Sequence, residues 1–166
     1  MVTESINAML ILYLAYNHLG GESIALPVFA ACFLLVRIIG SPFVNRFGGR
    51  SVLLIFMIIE TIGLFMISST TSLPAILIGT GLTGVGVAMM YPAFVAVIVQ
   101  RTPLAQQGAA IGFMTSFWDF GLVIAGPGGG IIASMIGFNM VFLMATIFSI
   151  ISFFIVLIPL KRQFNF

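Results

Sequence analysis

Three ionisable side chains, Arg37, Glu60 and Asp119, stand inside otherwise apolar stretches of this sequence. A carboxyl group in such a place can do one of two things. Desolvated, it can take up and release a proton as its surroundings change. Alternatively, it can hold a polar contact that fixes how two elements pack. Arg37 can pair with an acid, or it can run its stem along apolar surface and reach water with its head. The stretch "TSFWDFGLVIAGPGGGII" poses the question most sharply, with one carboxylate, Asp119, just ahead of a run of glycines. Other reactive groups are few. His18, the single histidine, sits beside "LGGE" as an interfacial polar residue. Cys32, the single cysteine, excludes an intrachain disulfide and reads as a small packing residue. There are no paired metal ligands and no nucleophile elbow, so the chain is not expected to be an enzyme or to hold a metal or cofactor.

The elements that must position these residues follow from composition. Hydrophobic residues make up 61% of the chain and charged residues 6%, against about 25% charged in soluble domains. A soluble core of this size cannot hide so much apolar surface. Lipid is the natural solvent, and there each block must be helical, because no water satisfies its backbone groups. The predicted class is an all-α integral membrane protein with six transmembrane helices in a single domain. The spans are expected at 5–19, 23–44, 51–68, 74–100, 108–136 and 139–160, each near the roughly 20 residues that cross a bilayer. Pro74 opens the fourth at a favoured first-turn position. "MVTESINAML" lacks the basic flank of a signal peptide and reads as the start of the first span.

The cations set the orientation. Arg46 and Arg50 fall in the second connection, Arg101 in the fourth, and Lys161 and Arg162 in the tail, while the first, third and fifth connections hold no Lys or Arg. By the positive-inside rule, both termini and the even-numbered connections face the cytoplasm, which implies a multi-pass protein of the cell (plasma) membrane. The net charge of +2 comes from too few residues to imply a nucleic-acid partner.

On this map Asp119 lies roughly 16 Å into the fifth span and Glu60 roughly 13 Å into the third. Each charge near a helix centre costs about 2.5–3.5 kcal/mol, so each needs a partner or a wet cavity. "GTGLTG" at 79–84 matches a dinucleotide fingerprint letter for letter, but no strand precedes it and no acid follows at the required distance. Its glycines read instead as sites of close helix approach. The same reading covers Gly108, Gly112, Gly121, Gly126 and Gly130. Pro92 and Pro127 each remove a backbone hydrogen bond and are expected to kink their helices. Met89, Met90 and Tyr91 beside Pro92 suit either ordinary packing or a pocket for an apolar solute.

At "RIIGSPFVNRFGGRSVLL" the chain resembles the cytoplasmic loop motif of the major facilitator superfamily, in the form found between its eighth and ninth helices. Arg37, Arg46, Phe47, Gly48 and Arg50 fall in register. Asn45 stands where the family usually has Asp, Gly49 where it has Arg, and Ser41 where it has Gly, which weakens the charge network of that loop. "GVGVAMMYPAFVAVIVQRTPLAQQGAAIGFMTSFWDFGLVIAGPGGGIIA" is similar to the tenth and eleventh helices of efflux-type members. It carries the Tyr-Pro, the Asp-x-Gly at Asp119 to Gly121, and a glycine-proline element like the family's antiporter motif. Gln107 replaces the usual Arg.

The resemblance covers helices seven to twelve, one half of the family fold, built from two three-helix repeats. It implies transmembrane transport, namely secondary active, proton-coupled efflux of a small organic solute. The chain would act as half of a split or truncated transporter, with an N-terminal six-helix half or a second copy as partner. It places Asn7, Tyr13, Asn17, Thr83 and Tyr91 along the solute path. The second and fifth spans, with Asp119, fall at the seam between halves, and the third and sixth face lipid. A membrane protein that keeps the fold without transporting, as a remnant or an interaction or regulatory module, is the competing reading. A channel suits the chain less well, for want of a polar pore-lining stripe.

Overall fold

The structure, a computed structural model, describes residues 2–16 and 21–158. Among the described residues the chain forms six α-helices: α1 (Val2–Tyr16), α2 (Glu22–Phe47), α3 (Gly49–Ser69), α4 (Leu73–Arg101), α5 (Leu104–Ile136) and α6 (Phe138–Leu157). Five of them, α2 to α6, are long and apolar enough to cross a membrane. The exposed Leu, Ile and Phe side chains along these helices form the surface expected of a protein solvated by lipid. This is a membrane protein.

The turns are tighter than the sequence suggests. The connection expected around "NRFGGR" is almost entirely helical, and Gly48 alone separates α2 from α3. Its φ of 80° lies in the left-handed region, which glycine adopts without a steric penalty, and its N–H donates to the Val44 carbonyl at 3.1 Å. Gly137, with φ 103°, joins α5 to α6 in the same way. α5 begins at Leu104, ahead of the expected start at 108, and α4 and α5 run unbroken through Pro92 and Pro127.

The core has two clusters. One gathers Leu10, Tyr13 and Leu14 of α1 with Leu64, Ile67, Ile76 and Phe142. The other joins Val44 of α2, Val52, Leu53 and Met57 of α3, and Met89 and Ala93 of α4. The tightest seam is α3 on α4. A Cβ built on Gly63 would meet the Gly79 carbonyl oxygen at 2.7 Å and the Thr83 hydroxyl at 2.6 Å, and one on Gly84 would meet the Phe29 carbonyl oxygen at 2.7 Å. The glycines of 79–84 therefore do allow the close approach expected of them. α3 shows the matching period. Leu53, Met57, Glu60, Leu64 and Ile67 are buried, while Ile55, Ile58, Ile62 and Phe65 form the opposite, exposed stripe.

Against this, α5 is loosely held. Gly129 is its one buried residue, and at Gly108, Gly112, Gly121, Gly126 and Gly130 no described residue stands where a side chain would be added. The expectation that these five glycines pack against neighbouring helices is therefore not met among the described residues of this chain. Gly108, Gly112, Gly126 and Gly130 share one side of α5, while Gly121 lies on another.

Candidate functional site

The polar residues at membrane depth occupy three separate places. The first is a groove between α2 and α4. Arg37 projects from α2 with its guanidinium 5.6 Å from the centroid of the Phe33 ring, one turn earlier, a cation–π arrangement that offsets part of the cost of the charge. Across the groove α4 supplies Met89, Tyr91, Pro92 and Gln100, and the cavity so formed has a volume of about 590 Å³. α2 and α4 are close at Gly40, where a Cβ would meet the flexible end of the Met89 side chain. Of the sulfur and aromatic cluster beside Pro92, Tyr91 is exposed on the groove wall, Met89 is buried in the α2–α3–α4 core at the groove floor, and Met90 packs against that core.

The second place is Glu60. It lies on the buried face of α3, 9% exposed, where Gly86 of α4 comes so close that a Cβ on it would be 2.8 Å from the Glu60 Cα. It makes no hydrogen bond or ion pair with any described residue. The third is Asp119, exposed on α5 and likewise without a partner among the described residues. Its neighbour Trp118 meets Phe94 of α4 edge to face, with ring centroids 6.4 Å apart, and this sets the rotation of α5 that leaves Asp119 outward. The structure thus does not bring Arg37, Glu60 and Asp119 together, and Arg37 rests on an aromatic ring rather than an acid.

The loop motif divides in function. Arg46 stacks over Phe47, 5.8 Å from the ring centroid, and stays exposed. Arg50 reaches across to the end of α6, donating to the carbonyls of Val156 at 3.1 Å and Leu157 at 2.9 Å. A cation there satisfies carbonyls that have no partner within the helix and opposes the negative end of its dipole. Gly48 is the turn already described. The Asn45 side chain lies outside the described residues. Sequence reasoning missed this contact, because the partners are backbone atoms more than a hundred residues away. It also missed the 2.7 Å hydrogen bond between the Thr61 and Ser149 hydroxyls, which ties α3 to α6. Two hydroxyls inside apolar spans were the available signal.

Of the five positions expected along a solute path, Tyr91 is exposed on the groove wall. The structure places Tyr13 and Thr83 in the interior instead. Tyr13 is fully buried against Phe142 and donates its hydroxyl to the Thr70 carbonyl at 3.0 Å. Thr83 is fully buried against α3 and donates back to the Gly79 carbonyl at 2.9 Å. Both fill gaps between helices, out of reach of a solute in the groove. The Asn7 side chain, Asn17, His18, Lys161 and Arg162 lie outside the described residues. No group of three or more metal-ligating side chains occurs among the described residues.

Comparison with known proteins places this arrangement in a family. The chain is 28% identical over 159 residues to a protein of Salmonella typhimurium named as an MFS-type transporter, covering 96% of this chain and 41% of that protein. A protein of Pseudomonas aeruginosa with the same kind of name is 33% identical over 146 residues, 88% of this chain and 36% of the relative. The MFS-type transporter YhhS of Escherichia coli K12 is 34% identical over 125 residues, 75% and 31%. The chain thus spans about two fifths or less of the length of these relatives. The family model described as Major Facilitator Superfamily matches residues 1–164, nearly the whole chain. With its apolar helices, tight glycine seam and loop motif, this chain belongs to the major facilitator superfamily.

Proposed function

We propose that this chain works in secondary active transport, as the C-terminal six-span half of an exporter that moves a small organic solute outward in exchange for protons. The observation that carries this reading is the one-sided packing of the helices. α3 and α4 are locked together, while the groove of Arg37, Tyr91 and Gln100 and the carboxylate of Asp119 lie on surfaces that no other part of the described chain covers. Alternating access needs two such bodies rocking about a central site, and the covering body is an N-terminal six-helix half or a second copy. Gly108, Gly112, Gly126 and Gly130, which share one side of α5, suit a close seam with that body. The spans cross a plasma membrane with both termini inside, as the placing of Arg46, Arg50 and Arg101 favours. Tyr91 contacts solute on the groove wall, and Asp119 couples helix movement to a proton.

The test uses everted membrane vesicles from cells expressing the native coding region around this chain, acidified inside and loaded with a pH-sensitive dye. Small organic solutes added outside should discharge the gradient, and Asp119→Asn should abolish the discharge. Unchanged flux and pH dependence in that variant would remove Asp119 from coupling. If no solute gives more discharge than vesicles without the protein, the chain is a non-transporting module and the transport reading fails.

A further inference from the structure

We propose that the cleft between α2 and α3 binds one acyl chain of an anionic phospholipid, whose headgroup is held at the Arg46 end. This rests on the chain spanning a bilayer and not on its transporting anything. α2 and α3 part directly after the single-residue turn at Gly48. Each packs far more on α4 than on the other, so a cleft opens between them with α4 behind. Its volume is about 440 Å³, with Leu35, Ile39, Phe43 and Phe47 on one wall, Ile55 and Ile59 on the other, and Val85 at the back.

Every lining residue is apolar. A polar solute would leave its hydrogen-bonding groups unpaired there, so hydrocarbon is the occupant the walls accept. The cleft opens to the surroundings, since Leu35, Ile39, Phe43, Phe47 and Ile55 are all exposed. From Leu35 to Phe47 is twelve helical steps, or roughly 18 Å along the axis. That is little more than half of the roughly 30 Å hydrocarbon core. One leaflet, and hence one lipid chain, matches this length.

The charge at the mouth selects the headgroup. Phe43 and Phe47 stack at 5.7 Å, and Arg46 lies over Phe47, so an exposed guanidinium sits on the last ring of the cleft. Arg46 has no hydrogen bond or ion pair with a described residue, while Arg50 is engaged by the α6 carbonyls. No Asp or Glu occurs between residues 36 and 59. The mouth therefore carries a positive charge that no described residue pairs, in a form suited to a phosphate.

The experiment takes the purified, delipidated chain in detergent and offers it phosphatidylglycerol and phosphatidylcholine of identical acyl chains at equal concentration. Native mass spectrometry then reads the retained lipid. Phosphatidylglycerol should be retained about fivefold over phosphatidylcholine, the preference expected of one interfacial arginine. Arg46→Gln should bring the ratio near one while lipid is still retained. Ile39→Trp should fill the cleft and reduce retention of both lipids. Ile39 is exposed, so the packed seams stay intact, and circular dichroism confirms that both variants remain helical. An unchanged ratio in Arg46→Gln, or undiminished retention in Ile39→Trp, overturns the proposal. So does displacement of the lipid by glycerol phosphate, which has no acyl chain. Failure of the wild-type chain to retain either lipid does the same and points to another protein surface as the cover.

Discussion

Replacing Gly63 by Ala adds one methyl group to α3 at the point where α4 is closest. That methyl would lie 2.7 Å from the Gly79 carbonyl oxygen and from the Thr83 backbone nitrogen, and 2.6 Å from the Thr83 hydroxyl. Two of the three obstacles are backbone, so rotating a side chain does not relieve the clash. Ordinary contact begins at 3.4 Å, so α3 must draw back from α4 by about 0.7 Å, the difference between 3.4 and 2.7 Å. Overpacking of this kind costs about 1–3 kcal/mol, and the retreat also weakens dispersion contacts along the rest of the seam, including Glu60 against Gly86. Gly112→Ala on α5 is the matched control. It adds the same methyl group where no described residue lies within 4 Å, and removing a mid-helix glycine should stabilise by about 0.5–1 kcal/mol. Unfolding of the purified chain in mixed micelles, titrated with sodium dodecyl sulfate and followed by circular dichroism, compares the two. Gly63→Ala should unfold earlier than wild type and Gly112→Ala at the same point or later. If Gly63→Ala unfolds with wild type while Gly112→Ala unfolds early, the α3–α4 seam is not the stable centre of this protein.

Other outcomes follow from the same contacts. Arg50→Met removes the hydrogen bonds to Val156 and Leu157 and should lower stability by about 1 kcal/mol, at the modest end because the site is partly exposed; amide exchange should rise first at the end of α6. Arg37→Met should leave expression and folding within about 1 kcal/mol of wild type, as loss of one exposed cation–π contact implies, whereas misfolding would reveal a buried ion pair. In a background where Cys32 is replaced by Ala, a cysteine at position 46 should react with an impermeant maleimide only from the cytoplasmic side, and labelling from outside would reverse the topology.

How far residues alone could lead is clearest at particular positions. Blocks of Ile, Leu and Phe with almost no charge leave the backbone no partner but itself, so helices and their approximate limits are local facts and were legible. The places where connections fall were legible too, although not that Gly48 would be enough by itself to join two helices. Gly63 and Gly112 look alike in sequence, yet one is closed by a neighbouring helix and the other stands open. Tyr13 and Thr83 carry polar groups suited to a solute path, but a helix can bury such groups by turning them to its own or a neighbour's carbonyl. The partners of Arg50 are backbone atoms, which carry no letter in the sequence.

What the chain's residues determined unaided is therefore its solvent, its helical segments and the family it belongs to. Each follows from hydrogen bonds made within a few residues and from short motifs in order. Which face of each helix is covered, which charges meet and where clefts remain were decided only by tertiary structure. Packing depends on the fit of two surfaces far apart in the chain. A difference of one methyl group at a seam, as between Gly63 and alanine, is enough to decide how closely α3 and α4 can meet.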